Sequence, residues 1–264
     1  MEKVLLVALF TLLIHMAETL AYGIRLAGIR TGKLAAALSL TGIVLLLART
    51  SNMIQGPMTA TVVQYARSHA EYDLLGHFRI IIAGASAGTL LAMLLLPTVV
   101  SLSTRVLAHL EEAGSFPQMM RTSVTLDRLR RAGGHLRPPT RQMLARLRIG
   151  GIPKRLLLTN VVVTAIYTIG VLSALVASYL YPDYRDAASQ ASGLINGVAT
   201  VLLAMLIDPQ VALLTDKVLR GEKSPSAMSK MFGILMVSRL CGTLLAQLLL
   251  LPAAHWIAWI VRFF

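Results

Sequence analysis

Cysteine is all but missing from these 264 residues, with Cys241 standing alone. One thiol excludes a disulfide framework within the chain and any multi-cysteine metal site. Charge is sparse too: 14% of the residues are Asp, Glu, Lys or Arg, against about 25% in a soluble domain. Acidic groups are the scarcer kind, 12 against 25 basic ones. Three catalytic signatures are absent as well. Gly28-Ile-Arg-Thr-Gly32-Lys33 is one residue short of a phosphate-binding P-loop and runs into Leu34, which argues against direct ATP drive. His15-x-x-Glu18 lacks the second histidine of H-E-x-x-H, so no metal or other cofactor is expected. No G-x-S-x-G nucleophile elbow occurs. The composition sets aside a secreted mini-protein, a disordered tail and an ordinary cytosolic enzyme.

What is present is apolar. Hydrophobic residues make up 56% of the chain, and the mean hydropathy is +0.69. Six long runs stand out, at residues 4–23, 34–55, 80–102, 156–181, 187–207 and 231–251. Each is about 20 residues, the length that carries a helix across about 30 Å of hydrocarbon. Helix is the form expected, because backbone amides in lipid have no water to bond. A cleaved signal peptide is the alternative for the first run, but a clear small-residue cleavage site is missing there. Residues 256–264, with two Trp, read as an interfacial end. The expectation is an all-α polytopic integral membrane protein with six transmembrane helices. Residues 1–102 would hold helices one to three and residues 155–264 helices four to six.

Net charge is +13, and on so apolar a chain it points to anionic lipid or anionic cargo. Connections after the first, third and fifth runs hold 18 of the 25 Lys and Arg. The positive-inside rule puts that side in the cytoplasm and both termini outside. The long basic connection, residues 103–154, suggests an interfacial helix after Thr140, with Met143, Leu144 and Leu147 on one side and Arg141, Arg146 and Arg148 away from it. Phe116 is its one Phe, Tyr or Trp, too few to stack on bases, so no nucleic-acid partner is expected.

A weak repeat runs through the chain. Gly88-Thr-Leu-Leu-Ala-Met is echoed by Gly242-Thr-Leu-Leu-Ala-Gln, and Met53-Ile-Gln-Gly-Pro57 by Met205-Leu-Ile-Asp-Pro209. Three spans per half would insert the halves in opposite directions, as in a 3+3 inverted repeat. Chance likeness between Leu-rich helices is the competing explanation, and the first spans of the two halves do not visibly match. Gly84-x-x-x-Gly88 and Gly193-x-x-x-Gly197 read as close helix contacts, which permit a homodimer and equally permit packing within one bundle.

Chemistry belongs where polar residues interrupt lipid-soluble sequence. Thr11, His15, Glu18, Tyr22 and Arg25 share one face of the first span. Arg49, Asn52 and Gln55 share one face of the second. Asn160, Thr164 and Tyr167 lie on the fourth, Asn196 and Thr200 on the fifth, and Arg239 on the sixth. Intramembrane arginines mark substrate paths, and the guanidinium fork suits phosphate. Arg49 and Arg239 are therefore the candidate anion ligands. Asn52, Gln55, Asn160 and Asn196 are candidate headgroup contacts, and amides there also serve as glue between helices. His15, Glu18, Arg25, Asp208 and Asp216 are candidates for charge balance or coupling. Glu18 and Arg239 fall at similar depth and are expected to pair when no cargo is bound. Arg49 is expected on the outward half of span two. Asp208-Pro209 and Thr215-Asp216 read as a helix stop and a cap for the next short helix, or as a gate or proton site.

Leu13-Ile-His-Met-Ala-Glu18, Arg49-Thr-Ser-Asn-Met-Ile-Gln-Gly-Pro57, Ile152-Pro-Lys154, Thr164-Ala-Ile-Tyr-Thr168, Gly170-Val-Leu-Ser-Ala174 and Leu194-Ile-Asn-Gly-Val-Ala-Thr200 occur in that order. In order and spacing they resemble the Amj-type lipid II flippases of bacteria, over most of the chain and least in residues 103–139. The resemblance implies a multi-pass plasma-membrane protein. Its partners would be membrane lipids and its cargo lipid II, an undecaprenyl pyrophosphate carrying a disaccharide-pentapeptide. It implies transfer of that lipid to the outer leaflet for peptidoglycan synthesis, without enzymatic chemistry. Two other readings are a coupled transporter of another anionic lipid, such as undecaprenyl phosphate, and an intramembrane enzyme using His15 and Glu18. A scaffold without transport is a further one.

Overall fold

A computed structural model describes residues 1–113 and 152–263. Among them only helices and turns occur: α1 (Glu2–Thr31), α2 (Leu34–Ser68), α3 (Leu74–Ala113), α4 (Lys154–Leu180), α5 (Arg185–Gln190), α6 (Ser192–Leu202), α7 (Asp208–Leu219) and α8 (Pro225–Val261). A short 3-10 turn, Pro182–Tyr184, precedes α5. A π-helical stretch, Leu203–Ile207, joins α6 to α7. Six segments are long and apolar enough to cross a membrane, the fifth being the composite Pro182–Leu219. Leu5, Leu9, Leu46, Leu47, Leu158 and Leu248 are exposed on the outside of the bundle. In water such a surface would drive association, whereas in lipid it has the matching solvent.

The first three spans pack around α1 and the last three around α4. α1 packs against both α2 and α3, and α4 packs against both α6 and α8. Close approach needs residues without bulk. A Cβ on Gly84 would press on the Ala8 carbonyl, and one on Gly88 would overlap that of Leu12. In the second half a Cβ on Gly242 would lie 2.6 Å from the Val161 carbonyl oxygen. Core clusters cross between the halves, one of them joining Val7, Phe78, Ile81, Ile169, Leu172 and Leu250. α1 ends on Gly32 at φ 71°, whose amide donates back into the last turn, and Lys33 leads into α2. The near-P-loop glycines thus build a helix cap and a tight turn.

Several boundaries differ from the sequence reading. α2 does not stop at Gln55 but continues through Pro57 to Ser68, since its packing on α1 holds the helix past the proline. α3 runs from Leu74 to Ala113, well beyond residues 80–102. Asp208-Pro209 begins a helix instead of ending one, with Pro at its first turn. Thr215 is no cap: it lies inside α7 and its hydroxyl donates to the Val211 carbonyl. Gly193 and Gly197 face open space and make no close helix contact. Residues 256–261 continue α8, with Trp256 and Trp259 exposed. The interfacial helix expected after Thr140 lies outside the described residues.

Candidate functional site

Polar faces of α1, α2, α4, α6 and α8 converge on a cavity of about 310 Å³. From α1 come Glu18, Tyr22 and Arg25, and from α2 comes Arg49. Asn160, Thr164 and Tyr167 line it from α4, and Arg239 from α8. Thr200, Leu203 and Asp208 close the remaining wall. On α1 these residues occupy the half that ends at Thr31, and on α4 the half that begins at Lys154. The cavity therefore lies toward the basic connections.

Its electrostatics centre on one ion pair. Arg239 Nη2 donates to Glu18 Oε2, with both side chains nearly buried. Tyr167 lies beside Glu18, and Tyr22 lies in the combined field of Arg239, Arg25, Asp208 and Glu18. Three arginines thus face two carboxylates across one water-accessible space. The Nε atoms of Arg25 and Arg239 are buried without a hydrogen-bond partner in the protein. A buried donor left unpaired costs about 1–3 kcal/mol, so these groups are set for water or an anion. Arg49 does not sit on the outward half as expected. The full length of α2 places it near that helix's middle, on the same cavity as Arg239.

A second, smaller pocket of about 20 Å³ adjoins the first on the side of the chain termini. Thr11, His15, Asn52, Gln55, Thr168 and Asn196 line it, and Tyr167 borders both spaces. His15 is 2% exposed, and its Nδ1 and Asn196 Oδ1 have no partner within the protein. Gln55 Nε2 donates to Thr11 Oγ1 at 2.7 Å, tying α2 to α1. Asn196 lies over Gly170, where any Cβ would collide with its amide.

Ten of the eleven residues singled out from sequence border these two spaces. Asp216 does not; it is exposed on α7, about 12 Å along the helix from Asp208. Asn160 has a further task, since its Nδ2 donates to Leu235 O at 2.9 Å and Ser238 Oγ at 2.6 Å, joining α4 to α8. In the sequence Tyr22 and Tyr167 stand out only as members of polar faces. The spacing Asn160, Thr164, Tyr167 was the signal that would have raised Tyr167 further. Among the described residues no three His, Cys, Asp or Glu side chains converge as a metal would require.

Comparison with known proteins gives the chain its relatives. The family model described as "Amj: Alternate to MurJ" matches residues 10–261. A lipid II flippase Amj of Bacillus subtilis (strain 168) is 42% identical over 263 residues, covering 99% of this chain and 98% of that protein. No solved structure matches the chain.

Proposed function

The chain belongs to the Amj family, and from that footing we propose that it is a lipid II flippase of the bacterial plasma membrane whose arginine-lined cavity receives the pyrophosphate. It is a transporter and carries out no chemistry on its cargo. The cavity with three arginines against two carboxylates carries this reading. A pyrophosphate crossing hydrocarbon needs cations at depth, and an arginine in lipid needs an anion or water. Each satisfies the other. With the 18 basic residues on the cytoplasmic side, the large cavity opens toward the leaflet where the lipid is made.

Glu18 and Arg239 form the cargo-free latch. An incoming pyrophosphate competes with the Glu18 carboxylate for the Arg239 guanidinium, while Arg25 and Arg49 add charge from α1 and α2. Thr164 and Thr200 and the amides of Asn52, Gln55 and Asn196 offer neutral hydrogen bonds to sugars and peptide. The undecaprenyl tail has a route that leaves it in lipid. Arg49 on α2 and Thr200 on α6 line the cavity from separate walls and both are exposed. α2 makes little contact with α6, the π stretch or α7, so the cavity has a lateral mouth between them. The test is a strain in which this protein is the sole candidate flippase. Lipid II reaching the outer leaflet there supports the reading; accumulation on the inner leaflet with the protein expressed would overturn it.

A further inference from the structure

We propose that the small pocket is the closed counterpart of the large cavity, a second headgroup site that opens toward the opposite leaflet as the two halves exchange conformations. This rests on the flippase reading but comes from contacts between helices. In the first half, α3 meets α1 at Gly84 against Ala8 and Gly88 against Leu12. In the second, α8 meets α4 at Ser238 against Asn160 and Gly242 against Thr164. The two sets superimpose in sequence, Ala8 on Asn160 and Leu12 on Thr164, Gly84 on Ser238 and Gly88 on Gly242. Taken on these side chains the register between α1 and α4 is an offset of 152 residues; the backbone carbonyl nearest Gly242 is that of Val161.

That register has a consequence for the cavities. Thr11, His15 and Gln55 of the small pocket fall on Val163, Tyr167 and Ile207 of the large one. Of the small pocket's five first-half residues these three have counterparts in the large cavity's wall, and the two spaces measure about 20 Å³ and about 310 Å³. The second helices differ in the same sense. Before Pro209 the chain takes the π-helical form over Leu203–Ile207, whereas before Pro57 the equivalent residues 51–55 are regular α-helix. π turns inside helices absorb an extra residue and commonly mark functional sites. In the exchanged state α2 loosens before Pro57 and the π stretch regularises, so that the small pocket opens and the large one closes.

The opened pocket takes a particular chemistry. Its lining holds hydroxyls, amides and the imidazole of His15, with no Arg, Lys, Asp or Glu. His15 Nδ1 and Asn196 Oδ1 already stand buried and unpartnered at its edge. Such a site suits the uncharged, hydroxyl- and amide-bearing part of a glycolipid headgroup, while the phosphates stay with the arginines.

Equivalence also supplies the test. Leu46 and Met205 flank the large cavity's mouth, and their counterparts are Val198 and Met53; all four are exposed. Spin labels on Leu46→Cys/Met205→Cys and on Met53→Cys/Val198→Cys, each with Cys241→Ser, would be read in lipid nanodiscs with and without undecaprenyl pyrophosphate. The Glu18→Gln background gives a second way to shift the equilibrium. Opposite shifts of the two distance distributions are expected. Fixed distances, or shifts in the same sense, in protein that still moves lipid II would overturn the exchange and leave the flippase reading standing. Loss of lipid II transport by the unaltered chain would instead strike at that reading. A separate measurement guards against labels that disturb folding. Asn52→Cys should react severalfold faster with a membrane-impermeant thiol reagent added outside when Glu18→Gln is present, and an unchanged rate counts against the proposal.

Discussion

Glu18 and Arg239 show how much a single pair can decide. Each alone would cost about 2.5–3.5 kcal/mol at the centre of a bilayer, and together they satisfy one another across α1 and α8. Glu18→Gln removes the charge and keeps the shape. The account expects Arg239 to stay in place with transport of lipid II falling sharply; transport at the unaltered level in the same cells would refute the latch. Glycines divide just as cleanly. Gly88→Ala drives a methyl into the Leu12 carbonyl and should destabilise the protein by about 1–3 kcal/mol, the scale of overpacking. Gly193→Ala meets nothing within 4 Å and should stay within about 0.5 kcal/mol. Thermal unfolding of the purified variants in one detergent compares the two directly.

Whole helices were easier to read than their ends. Six apolar runs of bilayer length left little choice of fold, because lipid forces backbone amides into helix. Where each helix stops is a matter of packing, so α2 passes its proline and α3 reaches Ala113 against the reading from hydropathy. Charged and amide residues of the site were legible because lipid makes them costly, and ten of the eleven do gather at two adjoining spaces. Tyr167 was harder to rank, since a tyrosine on a membrane helix carries no such cost. Gly193-x-x-x-Gly197 misled because spacing alone does not say which face meets a neighbour. The break in the fifth span left no sequence signal apart from the proline that follows it. Deleting Ala204 from the π stretch should restore regular helix and abolish transport while leaving the amount of membrane-inserted protein unchanged. A parallel transport assay and membrane blot would check both halves of that expectation.

At the scale of the molecule, the +13 charge separates into topology and chemistry. Most basic residues mark the connections on one side. A periplasm-active phosphatase fused after Phe264 should therefore be active, and one fused after Leu110 inactive; the reverse would invert the orientation and the direction in which the large cavity faces. The basic charge that carries the chemistry lies on the cavity wall, in Arg49 and Arg239 within the spans and in Arg25 at the start of the first connection. The most direct test is binding of lipid II to the purified protein in nanodiscs, with Arg49→Ala and Arg239→Ala beside the unaltered chain. Hydrogen bonds to a charged group contribute about 1.5–3 kcal/mol each, so each variant should bind about 10- to 150-fold more weakly. Undiminished affinity in both variants, with the fold intact, would contradict the assignment of this cavity to the pyrophosphate.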